Sequence, residues 1–276
     1  MAKSIIDYSI GSYLKNIKFN FLFSIPALIG LLILLFVRIP TYPAIGSIYL
    51  RTGSIPDITA LQWGVLIISY LVSLFLISFA IVSLNLVIKS ERTLTNIGKE
   101  VMRGIEKYVL NVFWIYLTAT LLLLIVQLFT YELKVQQLIF PILSFVISLF
   151  VFYAPAGLVI DDARPGRAIE KSIQMIISKL PNFLMWLAIA FVLLSIPDFI
   201  FLTVLSNSTA TAILSATGPT LASLPSVLGD GIVFLVKAIF SHELATTLLI
   251  VLNSLFILPF LIVLQTQIYI SKYTIL

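Results

Sequence analysis

Cysteine is absent from the 276 residues. That excludes disulfides, thiolate nucleophiles, iron–sulfur clusters and cysteine-ligated zinc. Histidine occurs once, as His242, so a histidine-based metal site would need carboxylates for its other ligands. Carboxylates are scarce too. Charged residues make up 11% of the chain, against about 25% in an ordinary soluble domain. What is present instead is apolar: 60% of the residues fall in the hydrophobic set. Such a balance excludes a soluble globular domain and a disordered chain, and it fits a polytopic membrane protein.

A spanning helix needs about 20 mostly apolar residues to cross a hydrocarbon layer about 30 Å thick. Charge-free runs of that kind predict six spans, at about 19–37, 61–88, 108–130, 136–160, 181–205 and 245–270. The runs are continuous and leucine-rich, as in Leu121-Leu122-Leu123-Leu124. A membrane β-barrel would show short alternating segments instead. The stretch 206–243 is too polar in its middle to be a simple span and is read as an outer loop. Its apolar part, 232–240, is read as a helix on the outer leaflet or a docking surface. The expected fold class is all-α, a single transmembrane domain over 1–276.

Orientation follows from the lysine and arginine bias, since cytoplasmic loops carry the excess of positive charge. With the N-terminus inside, 13 of the 17 basic residues fall on the inner side. Both termini are therefore expected in the cytoplasm, in a multi-pass protein of the cell membrane. No signal-peptide pattern precedes the first span, so the chain is expected to begin near Met1. Asn207-Ser208-Thr209 matches a glycosylation acceptor, which suits an outer loop.

Each odd-numbered span is preceded by an amphipathic stretch, at about 4–17, 91–107 and 165–179. In the first, Ile6, Ile10, Tyr13, Leu14 and Ile17 oppose Asp7, Gly11, Lys15 and Lys18. In the last, Ile169, Ile173, Ile176 and Leu180 oppose Arg167, Glu170, Lys171 and Gln174. The spacing is that of half-buried helices. The junctions Lys18-Phe19-Asn20-Phe21, Lys107 through Asn111-Val112-Phe113, and Lys179 through Asn182-Phe183 also agree. The expected unit is an interfacial helix followed by a helical hairpin, used three times. Basic polar faces of this kind are attracted to anionic lipid headgroups. Arg92, Arg103, Arg164 and Arg167 are the residues expected to contact lipid phosphates or a partner protein.

The segment from Asp161 to Ser172, continuing to Asn182-Phe183, has the form Gly166-x-Ala168-Ile169-x-x-Ser172 … Asn182-Phe183. It resembles the signature of a loose superfamily of six-helix prokaryotic membrane proteins. That group includes the membrane domain attached to some glycerophosphodiester phosphodiesterases. The resemblance covers the layout of the whole chain but only about 20 residues of motif. It implies a membrane module without established catalytic residues. Read from the residues alone, Pro165 suits the first turn of a helix, and Asp161 and Asp162 suit capping of its N–H groups.

Other chemistry is missing. Asp161-Asp162-Ala163-Arg164 lacks the further aspartates that a two-metal CDP-alcohol transferase motif requires. There is no Gly-x-Ser-x-Gly elbow, P-loop or His-Glu-x-x-His. No ionisable residue lies near the middle of a span; Asp198 falls near the outer interface. Gln127 and Asn253 suit interhelical hydrogen bonds, and Ser69/Ser73 and Ser144/Ser148 suit close helix packing. The expected function is a non-enzymatic integral membrane module: a scaffold, accessory subunit or membrane-organising protein. A small solute or lipid transporter is the alternative. Expected partners are the bilayer, anionic headgroups and a membrane protein or second copy. No cofactor, metal or nucleic acid is expected.

Overall fold

The computed structural model describes residues 4–52, 60–132, 136–195 and 249–271. Within them the chain forms helices and no strands. We number these α1 (Ile5–Lys15), α2 (Ile17–Thr52), α3 (Ala60–Thr93), α4 (Ile97–Glu132), α5 (Gln136–Phe152), α6 (Ala154–Ile160), α7 (Pro165–Ser178), α8 (Leu180–Ser195) and α9 (Leu249–Ile270). Among the described residues, five stretches are long and apolar enough to cross a membrane: α2, α3, α4, α5 with α6, and α9. A sixth is counted if α7 and α8, bent by 93° at their junction, make one broken span. The protein is a helical membrane protein. Asp198, Asn207, the 232–240 segment and His242 lie outside the described residues.

Local chemistry sets the helix ends. Ser4 caps α1: it accepts from Asp7 N–H, while the Asp7 carboxylate accepts from Ser4 N–H. This reciprocal box satisfies two end donors at once. α1 stops at Asn16, whose backbone leaves the helical region. α7 starts with Pro165 in its first turn and stops at Lys179. Pro181 follows and cannot donate to the carbonyl four residues earlier, which favours a break there.

The expected separate helix over 91–107 does not form. α3 runs through Thr93, residues 94–96 make the turn, and α4 continues unbroken from Ile97 to Glu132. Leu94 takes the turn's left-handed position, at φ 56°, and Asn96 receives the Glu100 and Lys99 N–H groups. No proline interrupts α4. Asn111, which marks the same junction as Asn20 and Asn182, bonds back to the Lys107 carbonyl within the helix. At 36 residues and about 1.5 Å each, α4 is about 54 Å long, well beyond an apolar layer of about 30 Å.

α2, α3 and α4 pack in sequence as neighbours. α2 meets α3 at Gly30, where an added Cβ would sit 2.9 Å from the Ser73 carbonyl oxygen. Ser73 is fully buried there, as its expected close-packing role requires, whereas Ser69 is half-buried and bonds to the Val65 carbonyl within α3. Ser144 and Ser148 bond only within α5, and Ser148 is exposed. α3 and α4 run antiparallel, with Tyr70 bonded to Thr120 at 2.8 Å and Phe75 against Phe113. At the other end of this hairpin, Leu86 fills the notch at Gly104.

The deepest packing lies at that end. Leu84, Leu86, Val159 and Leu264 are inaccessible. One cluster joins α3, α4, α6 and Ala168 of α7. A second joins Tyr153, α7, Phe183 of α8 and the last turns of α9. α1 packs on α9, with the Tyr13 ring edge-on to Phe260.

α9 carries an irregularity. Residues Asn253–Ile257 form a π-helical turn, and the Leu258 N–H is given to the Asn253 carbonyl. Pro259 follows immediately. Its missing N–H and its ring conflict with an ordinary helix one turn back, and a one-residue register shift relieves both.

Candidate functional site

The charged and polar side chains of the described region gather where α3 ends, α4 begins and α6 turns into α7. This end of the bundle holds two networks.

The first is built on the turn after α6. Asp161 is the C-cap residue of α6. Its carboxylate accepts from Lys171 Nζ at 2.6 Å and from Tyr269 OH at 2.7 Å. The Asp161 side chain is 5% exposed, so α7 and α9 are tied to the turn through a buried charge. Asp162 sits beside it at φ 54°, a left-handed position that short polar side chains tolerate better than most. It accepts from Lys107 Nζ at 2.6 Å and Tyr108 OH at 2.8 Å, which ties α4 to the same turn. The Lys107 ammonium and Tyr108 hydroxyl hold the Asp162 carboxyl below its ordinary range. Lys89 of α3 donates to the Val159 carbonyl at 2.8 Å, placing a cation at the negative end of α6. Lys89 and Lys107 both lie over the Tyr108 ring, 5.4 and 5.2 Å from its centroid.

The expected capping role of the two aspartates is thereby corrected. The N-cap of α7 is Arg164, and the bonds just described run to side chains of other helices. The reason is position: the turn places the aspartates two and three residues ahead of the cap, next to lysines and tyrosines that sequence distance hides.

Of the motif residues, Ala168 and Ser172 have packing roles, whereas Gly166 is exposed and has nothing within 4 Å of an added Cβ; the close approach is made at Gly157, outside the motif. Gly157 lets α6 approach α7 and α9: an added Cβ would meet Tyr269 OH at 3.2 Å and Ala168 Cα at 3.5 Å. Ala168 is itself fully buried. Ser172 accepts from Tyr153 N–H at 2.9 Å and donates to the Leu149 carbonyl at 3.2 Å. It thereby satisfies the backbone where α5 breaks into α6, a role that no local sequence signal announces.

The second network holds α1 to α3. Glu91 lies in the last turns of α3, where the helix dipole disfavours an anion. Ser12 Oγ at 2.6 Å, Asn16 Nδ2 at 3.0 Å and Lys15 Nζ at 3.0 Å compensate it. Deeper in, Thr266 Oγ1 donates to Asn85 Oδ1 at 2.7 Å, Trp186 Nε1 donates to the Leu261 carbonyl at 2.9 Å, and Gln265 donates to the Phe152 carbonyl. These make the interhelical bonds expected of Gln127 and Asn253. Gln127 is exposed, and Asn253 Oδ1 is buried without a partner.

Arg92, Arg103, Arg164 and Arg167 are all exposed. Arg92 lies in the last turn of α3, Arg103 near the start of α4, and Arg164 and Arg167 at the start of α7. Among the described residues no group of three or more His, Cys, Asp or Glu could hold a metal. No protein-family model, curated protein or solved structure matches the chain.

Proposed function

We propose that this chain is a non-enzymatic integral membrane module, a scaffold or membrane-organising protein. In this reading it has six spans with both termini in the cytoplasm. α1 and α7 lie along the inner surface, and Arg92, Arg103, Arg164 and Arg167 face anionic headgroups or the acidic surface of a partner.

One observation carries the reading: α1 and α7 each have three faces. In α1, Ser9 and Ser12 are buried, Ile10 and Leu14 are exposed, and Asp7 and Lys15 are exposed on a further side. In α7, Ala168, Ser172 and Met175 are buried, Ile177 is exposed with Ile169 and Ile173 half-buried beside it, and Arg167, Glu170 and Gln174 occupy the third side. A helix flanked by protein, hydrocarbon and water needs three such sides, whereas a helix on a soluble core needs two. The sharp bend between α7 and α8 lets α7 follow the surface while α8 enters the bilayer. Counted at about 100° per residue, both helices pass in the same order from buried to apolar to charged. That agrees with two units of one repeat running round the molecule in the same sense.

The test is to reverse the four arginines to glutamate in pairs and measure co-purifying lipids and proteins. Loss of bound anionic lipid or of a partner supports the proposal. Unchanged association overturns it. Single cysteines at Ser4, Thr209 and Thr274 test the orientation with an impermeant thiol reagent in intact cells. Labelling at Ser4 or Thr274 would reverse it.

The permease alternative is favoured by one observation, the π turn of α9 with its unpartnered polar groups. Solute flux in liposomes that is abolished by substituting Asp198, Gln127 or Asn253 would establish it over the scaffold reading.

A further inference from the structure

We propose that the interface between the start of α2 and the π turn of α9 binds a monovalent metal cation through neutral oxygens. Asn20 is 1% exposed. Its Nδ2 donates to the Tyr13 carbonyl at 3.1 Å, so its oxygen is the other atom of the amide, and that Oδ1 is buried without a partner. Across the interface, Asn253 Oδ1 and Ser254 Oγ are also buried without partners. Among the described residues, every other buried serine places its Oγ on a carbonyl or carboxylate oxygen. Ser254, fully buried, is the exception.

A fourth oxygen follows from the bonding of the turn. The Ser254 carbonyl would ordinarily receive the Leu258 N–H, but that donor goes to the Asn253 carbonyl. The next residue is Pro259, which has no N–H to give. The Ser254 carbonyl therefore has neither its α-type nor its π-type helical donor. The two elements are in contact: α2 packs on the π turn, Phe21 and Phe256 rings meet at 6.0 Å, and Tyr13 OH donates to the Phe256 carbonyl at 3.3 Å.

The chemistry of this set selects the ligand. Leaving a buried polar atom unmet is unfavourable, because its bond to water is lost and nothing replaces it. Three of the four oxygens only accept, and one water donates at most two hydrogen bonds, so a single water leaves an acceptor unmet. A cation attracts all four. No carboxylate is among them, which disfavours divalent calcium or magnesium; Glu91 is already engaged by Ser12, Lys15 and Asn16. Carbonyls at an irregular helical segment inside a membrane protein supply sodium-type sites. The inference is independent of the scaffold reading, because a bound ion that only stabilises the bundle is compatible with it.

The experiment is thermal unfolding of the purified full-length chain in sodium, potassium or choline chloride at one ionic strength. Sodium or potassium is expected to raise the midpoint over choline, saturably, by roughly 2–4 °C. Ser254→Ala and Asn20→Leu are expected to abolish that increment, while Ser83→Ala, which removes a serine bonded within its helix, retains it. Coincident midpoints of the unaltered chain in all three salts would overturn the proposal and leave the oxygens to ordered water. So would an undiminished increment in Ser254→Ala. Should the variants fail to fold, equilibrium dialysis of the unaltered chain with radioactive sodium and potassium decides: no saturable binding of either ion overturns the site.

Discussion

The two ends of the helical bundle solve opposite problems. Where α3 ends and α6 turns, residues 82–88 of α3 and 153–159 around α6 are buried throughout, and charged groups are paired across helices. At the far ends of α3, α4 and α5 the apolar side chains point outward: Ile68, Ile125 and Ile142 are each about 60% exposed. The apolar windows of α3 and α4 are each only about one-fifth buried. In lipid, apolar surface need not be buried in protein, because lipid tails are as apolar as leucine. Packing density is set instead by small residues and polar bonds, and these are concentrated at one end.

The comparison breaks most severely at Asp161. Replacing it with alanine takes from the buried Tyr269 hydroxyl and the part-exposed Lys171 ammonium the carboxylate that each bonds, and a hydrogen bond to a charged group contributes about 1.5–3 kcal/mol. The expected outcome is loss of the folded, monodisperse protein in detergent, or a fall of many degrees in its unfolding midpoint. Should Asp161→Ala melt like the unaltered chain, the paired network is not what holds this end together.

The next effect is steric. Gly30→Val places methyl groups against the Ser73 carbonyl, where even a Cβ sits at 2.9 Å. Overpacking of this kind costs about 1–3 kcal/mol. Gly64, toward the far end of α3, has nothing within 4 Å of an added Cβ. Gly64→Ala is expected to leave the midpoint unchanged or raise it slightly, because alanine is the better helix former. Equal midpoints for the two variants would erase the contrast in packing.

A serine pair sharpens the same point. Ser172→Ala leaves the Tyr153 N–H without its acceptor in a buried site, a loss of about 1–3 kcal/mol. Ser148→Ala, on exposed α5, is expected to change stability by less than about 0.5 kcal/mol. Unfolding midpoints of the two variants, measured side by side, check the difference.

These sites also mark how far the sequence could be read. Charge-free runs located the long helices, because an apolar stretch long enough to cross a bilayer has few other uses. The breaks at Asn16 and Lys179 were legible from amphipathic spacing, and the second is reinforced by Pro181. The same spacing misled at 91–107, since the apolar positions Ile97, Val101, Ile105 and Tyr108 stay on one face whether or not the helix bends. The roles of Asp161 and Asp162 were hidden because their partners are up to 108 residues away, and no local pattern encodes such a pairing. The π turn follows from Pro259, but proline alone does not distinguish a kink from a register shift.

The smallest expected effect concerns Asp162, which differs from its neighbour Asp161 chiefly in exposure: 53% of its side chain is accessible, against 5%. The bonds from Lys107 and Tyr108 lower its carboxyl pKa from an ordinary value of 3.8. A group whose pKa is lowered by folding stabilises the folded state above its unfolded pKa, and that contribution is lost as pH falls through the lowered folded value. The stabilisation is thus fully present near neutrality and disappears only in acid below the ordinary carboxylate range. Asp162→Asn removes the charge while keeping a side chain that tolerates the left-handed backbone. Because solvent screens an exposed pair, the midpoint difference between the two proteins at neutral pH is expected to be about 2 °C or less. It should stay constant on moderate acidification and close only as the carboxyl of the unaltered protein becomes protonated. A gap that instead closes at mildly acidic pH would mean that the Asp162 carboxyl is raised rather than lowered, and that its partners do not stabilise the charged form.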